Sequence, residues 1–244
     1  IIFDGYGEAS CTDGLLRLKP TSADSQDKTH AGLAKSTTVE IEAGGVQTIH
    51  TTMTTVKQLR EDGEPNAWEV AWLLWNYTDN NHFYALALKP NGWEVSKQDP
   101  SYKGGQRFLK SNTDADPRKF PPHNTESNNA DEASVNPYSV LIKACHEYPL
   151  GTTPAKLEND VIPANRNSEA GNKARLTPVR NVFHIFVESA LLTTVVDTER
   201  PLPPHIPAFY AEDARVRFSH MWHATPKRPQ LRPSPADYDP LALH

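Results

Sequence analysis

Long apolar runs are missing from this chain. No stretch approaches the roughly 20 residues that a membrane-spanning helix needs, which argues against an integral membrane protein. A cationic excess is missing too. Lys and Arg total 25 against 30 Asp and Glu, a formal charge of −5, whereas general nucleic-acid binding rests on clustered cations that neutralise phosphates. Cysteine is scarce. Cys11 and Cys145 are the two present, too few and too far apart for a zinc knuckle. They are expected to form one disulfide that ties distant segments of a secreted protein together, or else to stand as two buried thiols. No Gly-rich phosphate loop and no 20- to 50-residue repeat occurs, which removes nucleotide cradles and solenoids. Only 2 methionines stand beside 21 prolines and many short polar turns, a balance that favours β structure over helical bundles.

What is present is enough for a core: 37% of the 244 residues are hydrophobic and 23% charged, as in ordinary globular domains. Strands are expected at Leu15–Lys19, Ser36–Glu42, Val46–Val56, Gln106–Lys110, Tyr138–Ala144, Asn181–Ser189, Leu191–Val196, Ala208–Tyr210 and Val216–His223. Val46–Val56 is the clearest, rich in β-branched residues and free of Gly and Pro. Its faces are Val46/Thr48/His50/Thr52/Thr54, polar enough to line a wet groove, and Gln47/Ile49/Thr51/Met53/Thr55, more like core. The segments 111–137 and 149–178 read as long irregular inserts. Many short strands at close spacing indicate a two-sheet antiparallel sandwich. A single domain over 1–223 is expected, followed by a Pro-rich tail, 224–244. The opening IIFDGYG has neither Met nor a basic leader, as expected of a mature secreted chain or a trimmed one. Asn76-Tyr77-Thr78 forms a glycosylation sequon that fits secretion.

The stretch AWEVAWLLWNYT, 67–78, holds three of the five tryptophans. Positions 68, 72 and 75 fit one helical face, but the segment is short and rich in Trp, Val, Tyr and Thr. It also precedes His82–Leu88, the Pro90-Asn91-Gly92 turn and Trp93–Lys97, a meander that a lone helix would interrupt. It is therefore read as a strand. Parity then puts Trp68, Trp72 and Asn76 on one face and Trp75 with Leu73 and Tyr77 on the other.

The segments NAWEVAWLLWNYTDNNHFYALALKPNGWEVSKQDP, GGQRFL, VVDTERP and FYAEDARVRF resemble concanavalin A-like β-jelly rolls, and among them small secreted polysaccharide lyases of the glucuronan-lyase type. The resemblance covers about 30–110 and 181–223; the two inserts have no counterpart in it. It implies a concave sheet that holds an acidic polysaccharide, cleaved by β-elimination. A monomer is expected, with no organic cofactor. A structural calcium ion away from the cleft is also implied, with Asp4 and Asp213 as oxygen donors. Against it, the last strand reads Phe218-Ser219-His220 where acids would be expected.

Elimination needs a group that neutralises the uronate, a base for the C5 proton and an acid for the leaving oxygen. Tyr84 is the preferred base and acid, with His82 or His50 assisting and Lys97 or Arg107 holding the carboxylate. Trp68, Trp72, Asn76, Trp93 and Gln106 would bind sugar. Glu69 and Glu94 are the carboxylate pair a hydrolase would need, although parity sets Glu69 opposite Trp68 and Trp72. A non-catalytic carbohydrate-binding jelly roll is the third reading, in which the tryptophan wall is all there is.

Overall fold

Runs of β-branched and aromatic residues, broken by Gly, Asn and Pro, become strands throughout the computed structural model. It describes residues 2–23, 25, 28–36, 45–61, 63–112, 118–122, 137–147 and 180–224. Among these there are fourteen strands and no helix: β1 (Ile2–Gly5), β2 (Glu8–Thr12), β3 (Leu15–Lys19), β4 (Ala31–Lys35), β5 (Gly45–Gln58), β6 (Ala71–Asp79), β7 (His82–Lys89), β8 (Gly92–Gln98), β9 (Gln106–Ser111), β10 (Tyr138–Glu147), β11 (Arg180–Val187), β12 (Ala190–Asp197), β13 (Ile206–Glu212) and β14 (Ala214–Ala224).

They form two seven-stranded antiparallel sheets, a two-sheet jelly roll. The first runs β1-β4-β13-β6-β7-β8-β9 and the second β12-β11-β10-β5-β14-β3-β2. The expected meander is β6 to β9, paired in sequence order. Alternate residues of the two inner faces meet in one core that includes Trp75, Trp93, Phe183 and Phe218, each at most 1% exposed. Trp75 stacks on Tyr84 at 5.7 Å and meets Phe183 edge-on at 5.3 Å. Burying one such ring contributes about 1.5–3 kcal/mol.

Several expectations change. β1, β2 and β4 were not among the expected strands. The strand expected at 36–42 lies outside the described residues apart from Ser36, as do the tail from 225 and most of both inserts. β5 divides as expected, with Gln47, Ile49, Thr51 and Met53 buried and Val46 exposed. The disulfide is corrected. Both cysteines are free, and β2 is separated from β10 by β3, β14 and β5. Those four strand spacings amount to about 19 Å, against less than about 7 Å between the Cα atoms of a disulfide.

Two bulges reset side-chain parity. Leu74 and Tyr77 pair with Ala208 and Ile206, three residues against two, with Asn76 at φ +49°. Ser219 and Trp222 pair with Thr52 and His50, again three against two, with His220 at φ +51°. Beyond each bulge the strand presents the face it would otherwise have hidden.

A chain of polar side chains crosses the core. Lys97 Nζ donates to Asp197 Oδ2 at 2.9 Å and to the carbonyls of Glu199 and Arg200, each at 2.6 Å. The Tyr84 hydroxyl donates to the same carboxylate at 2.5 Å and accepts from Leu202 N and Asn181 Nδ2. Asn181 Oδ1 bonds His146 Nδ1 at 2.9 Å, and His146 Nε2 reaches Gln47 at 3.3 Å. This network fixes the 197–202 connection against the meander.

Candidate functional site

The outer face of the first sheet carries a groove of about 660 Å³. Its floor follows from the strand register. Leu33, Tyr210, Trp72, Ala87 and Glu94 are successive cross-strand partners in one row. Ala208, Leu74, Ala85, Ser96 and Phe108 form the next. The three alanines are fully covered, so Trp72 and Leu74 lie over small neighbours and make a smooth apolar floor. The indole nitrogen of Trp72 donates to the Trp68 carbonyl at 2.9 Å, and Tyr210 meets its ring edge-on at 6.0 Å.

Exposed aromatics stand around that floor. Trp68 is 45% exposed, Phe108 62% and Tyr6 58%, and all three line the groove. Asn80, Gln98 and Gln106 add amides. The lining runs from Asp4 on β1 to Gln106 and Phe108 on β9, six strand spacings or about 29 Å.

Its charge is one-sided. Asp4, Glu94 and Glu212 line it, with no Lys, Arg or His among the lining residues. Burial pushes the Glu212 carboxyl above its ordinary range, and the charges of Asp213, Glu69 and Glu94 add to this, while the hydrogen bond from Tyr210 works the other way. That bond is 2.6 Å long. One of the three carboxylates is paired: Lys89 reaches Glu94.

No family model matches the chain, and no curated protein matches it. Solved structures similar to it include the carbohydrate binding module CBM66 from Bacillus subtilis, at 11% identity and a TM-score of 0.48 over 91% of this chain and 95% of that one. The legume lectin-like domain from Entamoeba histolytica follows at 9% and 0.46, over 92% and 90%. The carbohydrate recognition domain of Emp46p, in metal-free form, stands at 9% and 0.47, over 91% and 87%. Identities this low concern the fold alone.

The groove gathers some of the candidates and disperses the rest. Trp68, Trp72, Glu94, Gln106 and Asp4 all line it. Trp68 does so from the turn before β6, which begins at Ala71 rather than Ala67. Tyr84, Lys97 and Trp93 were expected on this face and are instead at most 1% exposed inside the sandwich. Trp93 and Lys97 do share a face, but it is the core face. Asn76 is corrected likewise: the bulge turns it inward, where its amide donates to the Leu202 carbonyl at 3.1 Å. Its sequon is therefore no surface acceptor in the folded chain. The same bulge moves Tyr77 from the expected core to the outer cluster with Trp72 and Leu74.

His82 lies at the β6–β7 hairpin, 2.9 Å from Asp79. Arg107 is opposite Lys97 in register, exposed and paired with Glu199. His50 belongs to the second sheet, so it cannot reach the groove. Glu69 is fully buried on Arg60 at 2.6 Å. Asp213 accepts from Ala23 N, His30 N and Arg60 Nη2, and a calcium ion there would sit against the guanidinium. The Asp4–Asp213 pair does not fit that metal. Among the described residues no group of three or more His, Cys, Asp or Glu is placed to hold one.

Sequence reasoning missed Tyr6, Phe83, Phe108, Tyr210 and Glu212. For Tyr210 and Glu212 the signal was there: FYAED alternates a ring and a carboxylate on one face.

Proposed function

We propose that the first-sheet groove binds a neutral linear glycan without breaking it. The observation that carries this reading is an aromatic-lined groove with three carboxylates and no cation among its lining residues. Sugar rings stack their C–H faces on exposed aromatics, and amides and carboxylates take the hydroxyls. A span of about 29 Å holds roughly five or six sugars, each about one strand spacing long. A polyuronate meets repulsion there, and Lys97 and Arg107, the groups meant to neutralise it, lie elsewhere. The β-elimination reading therefore loses its machinery.

Hydrolysis has one observation in its favour, the raised carboxyl of Glu212 in the same groove as Glu94. A glycosidase needs one carboxyl as acid and a second as base or nucleophile, whereas Glu94 is taken up by Lys89 and Glu212 by the Tyr210 hydroxyl. Binding alone is the better reading.

Calorimetry with neutral β-glucan oligosaccharides and with oligoglucuronates tests it. Neutral chains should bind, with affinity rising up to about five units and insensitive to salt. Trp68→Ala should weaken binding at least tenfold, about 1.4 kcal/mol. Binding confined to the uronates, or unsaturated ends generated from them, would overturn the reading; new reducing ends from the neutral chains would restore hydrolysis.

A further inference from the structure

The second sheet spends backbone strain to expose a tryptophan. Val216 and Phe218 of β14 point into the core, so unbroken alternation would bury position 222 as well. The bulge between Ser219 and Trp222 reverses that parity. Trp222 then lies opposite His50 on the outer face, 56% exposed, while His223 turns inward to Gln47 at 2.9 Å. The bulge holds His220 at φ +51°, a left-handed conformation that costs a non-glycine residue free energy and recurs at functional sites.

Near Trp222 lies a cavity of about 580 Å³, within the range of small-ligand sites. Asp13, Arg217, Thr52, Thr54, Ser219 and His220 supply its polar lining, and Met221 joins it to the smaller cleft that Trp222 and His50 line. The wall is pre-ordered. His50 Nδ1 donates to the His220 carbonyl at 3.1 Å, which leaves its Nε2 to accept from the Ser139 hydroxyl at 3.1 Å. The Ser219 and Thr52 hydroxyls approach His220 Nδ1 at 3.1 and 3.4 Å.

We infer that this surface is a second binding site, for a single neutral sugar residue, separate from the first-sheet groove. A carboxylate beside three hydroxyls matches neighbouring sugar hydroxyls, which donate and accept at once, and the exposed indole supplies the stacking face. The site does not depend on the groove reading, because none of its lining residues lines the groove.

Indole N–H NMR resonances of the five tryptophans test it. Trp222→Phe assigns the signal, and methyl glycosides of glucose, galactose, mannose and N-acetylglucosamine are titrated in turn. At least one should shift the Trp222 resonance saturably. Thr52→Val and, on the hairpin turn, Asp13→Asn should each weaken that response at least fivefold. Trp68→Ala should leave it unchanged. A Trp222 signal that none of the four sugars moves would overturn the site, as would a response that disappears in Trp68→Ala or ignores both pocket variants. A moving Trp222 beside neutral oligosaccharides that give no calorimetric binding would sink only the groove reading.

Discussion

His146 offers a quantitative test of the interior. Its ring is buried on β10, bonded to Asn181 and Gln47, with Phe183 edge-on at 6.4 Å. Desolvation outweighs the hydrogen bond that the ring donates to Asn181 Oδ1 and pushes its pKa down from 6.5 to about 4. Above about pH 6.5 the ring is neutral in both folded and unfolded chains, and the stabilisation is intact. As the pH falls from 6.5 towards 4 the unfolded chain takes the proton first, so stability drains away, and below 4 the loss is complete. The gap corresponds to about 3 kcal/mol at roughly 1.4 kcal/mol per pH unit. Some 2.5 kcal/mol of it is gone by about pH 4.5. Urea unfolding of the wild type and His146→Gln, each at about pH 7.5 and about pH 4.5, isolates this contribution. The variant starts less stable, because its side chain fits the two partners less well, but it should lose about 2.5 kcal/mol less on acidification. Equal losses in the two proteins would refute the assignment of a buried, neutral His146.

Lys97→Met should cost about 3–5 kcal/mol in the same assay, because it leaves the Asp197 carboxylate buried without its cation. Tyr84→Phe should cost about 1–3 kcal/mol, since Leu202 N and Asn181 each lose an acceptor, and should leave glycan affinity unchanged. Glu212→Gln should stabilise the fold at about pH 8 and make little difference at about pH 4: a raised carboxyl favours folding at low pH and disfavours it once it must ionise, so the gain should grow as pH rises. Thiol titration in denaturant without reductant should return both Cys11 and Cys145; a single oxidised pair would contradict the strand order.

The fold was legible because alternation and turn chemistry are local. The meander 71–111 reads directly from β-branched and aromatic runs around Pro90-Asn91-Gly92, and the two faces of β5 separate cleanly by polarity. What alternation does not carry is which sheet a strand joins, so His50 was placed beside Trp72 although β5 lies in the opposite sheet. Nor does it give the sign of a face. Tyr84, Trp93 and Lys97 formed a self-consistent set, and it was the inner one: a buried lysine with an acid and two carbonyls looks, in sequence, like a catalytic lysine. Trp68 reached the groove for a different reason than its parity, from a turn that precedes the strand.

Asn76 and His220 show why the remainder could not be read. Each is a non-glycine residue in the left-handed region at a bulge, and each reverses the face that follows. Such a conformation costs about 1–3 kcal/mol, a large part of a net stability of about 5–15 kcal/mol, so surrounding contacts must hold it. For Asn76 that contact is the Leu202 carbonyl, a partner 126 residues away. For His220 it is His50 on the neighbouring strand, 170 residues away. Both are long-range, so no window of sequence around either bulge contains the reason for it. The consequences are functional all the same. One bulge sends Tyr77 to the outer cluster beneath the first-sheet groove, and the other sends Trp222 out of the core. Replacing Asn76 with Gly keeps the conformation available but removes the amide, so it should spare the bulge and loosen the 197–202 connection. NMR should then show the Trp68 environment unchanged and faster amide exchange at Leu202. If the outer face were rearranged instead, the Leu202 contact would do more than offset the strain of a non-glycine residue: it would direct the bulge itself, and the backbone preference of residue 76 would be secondary.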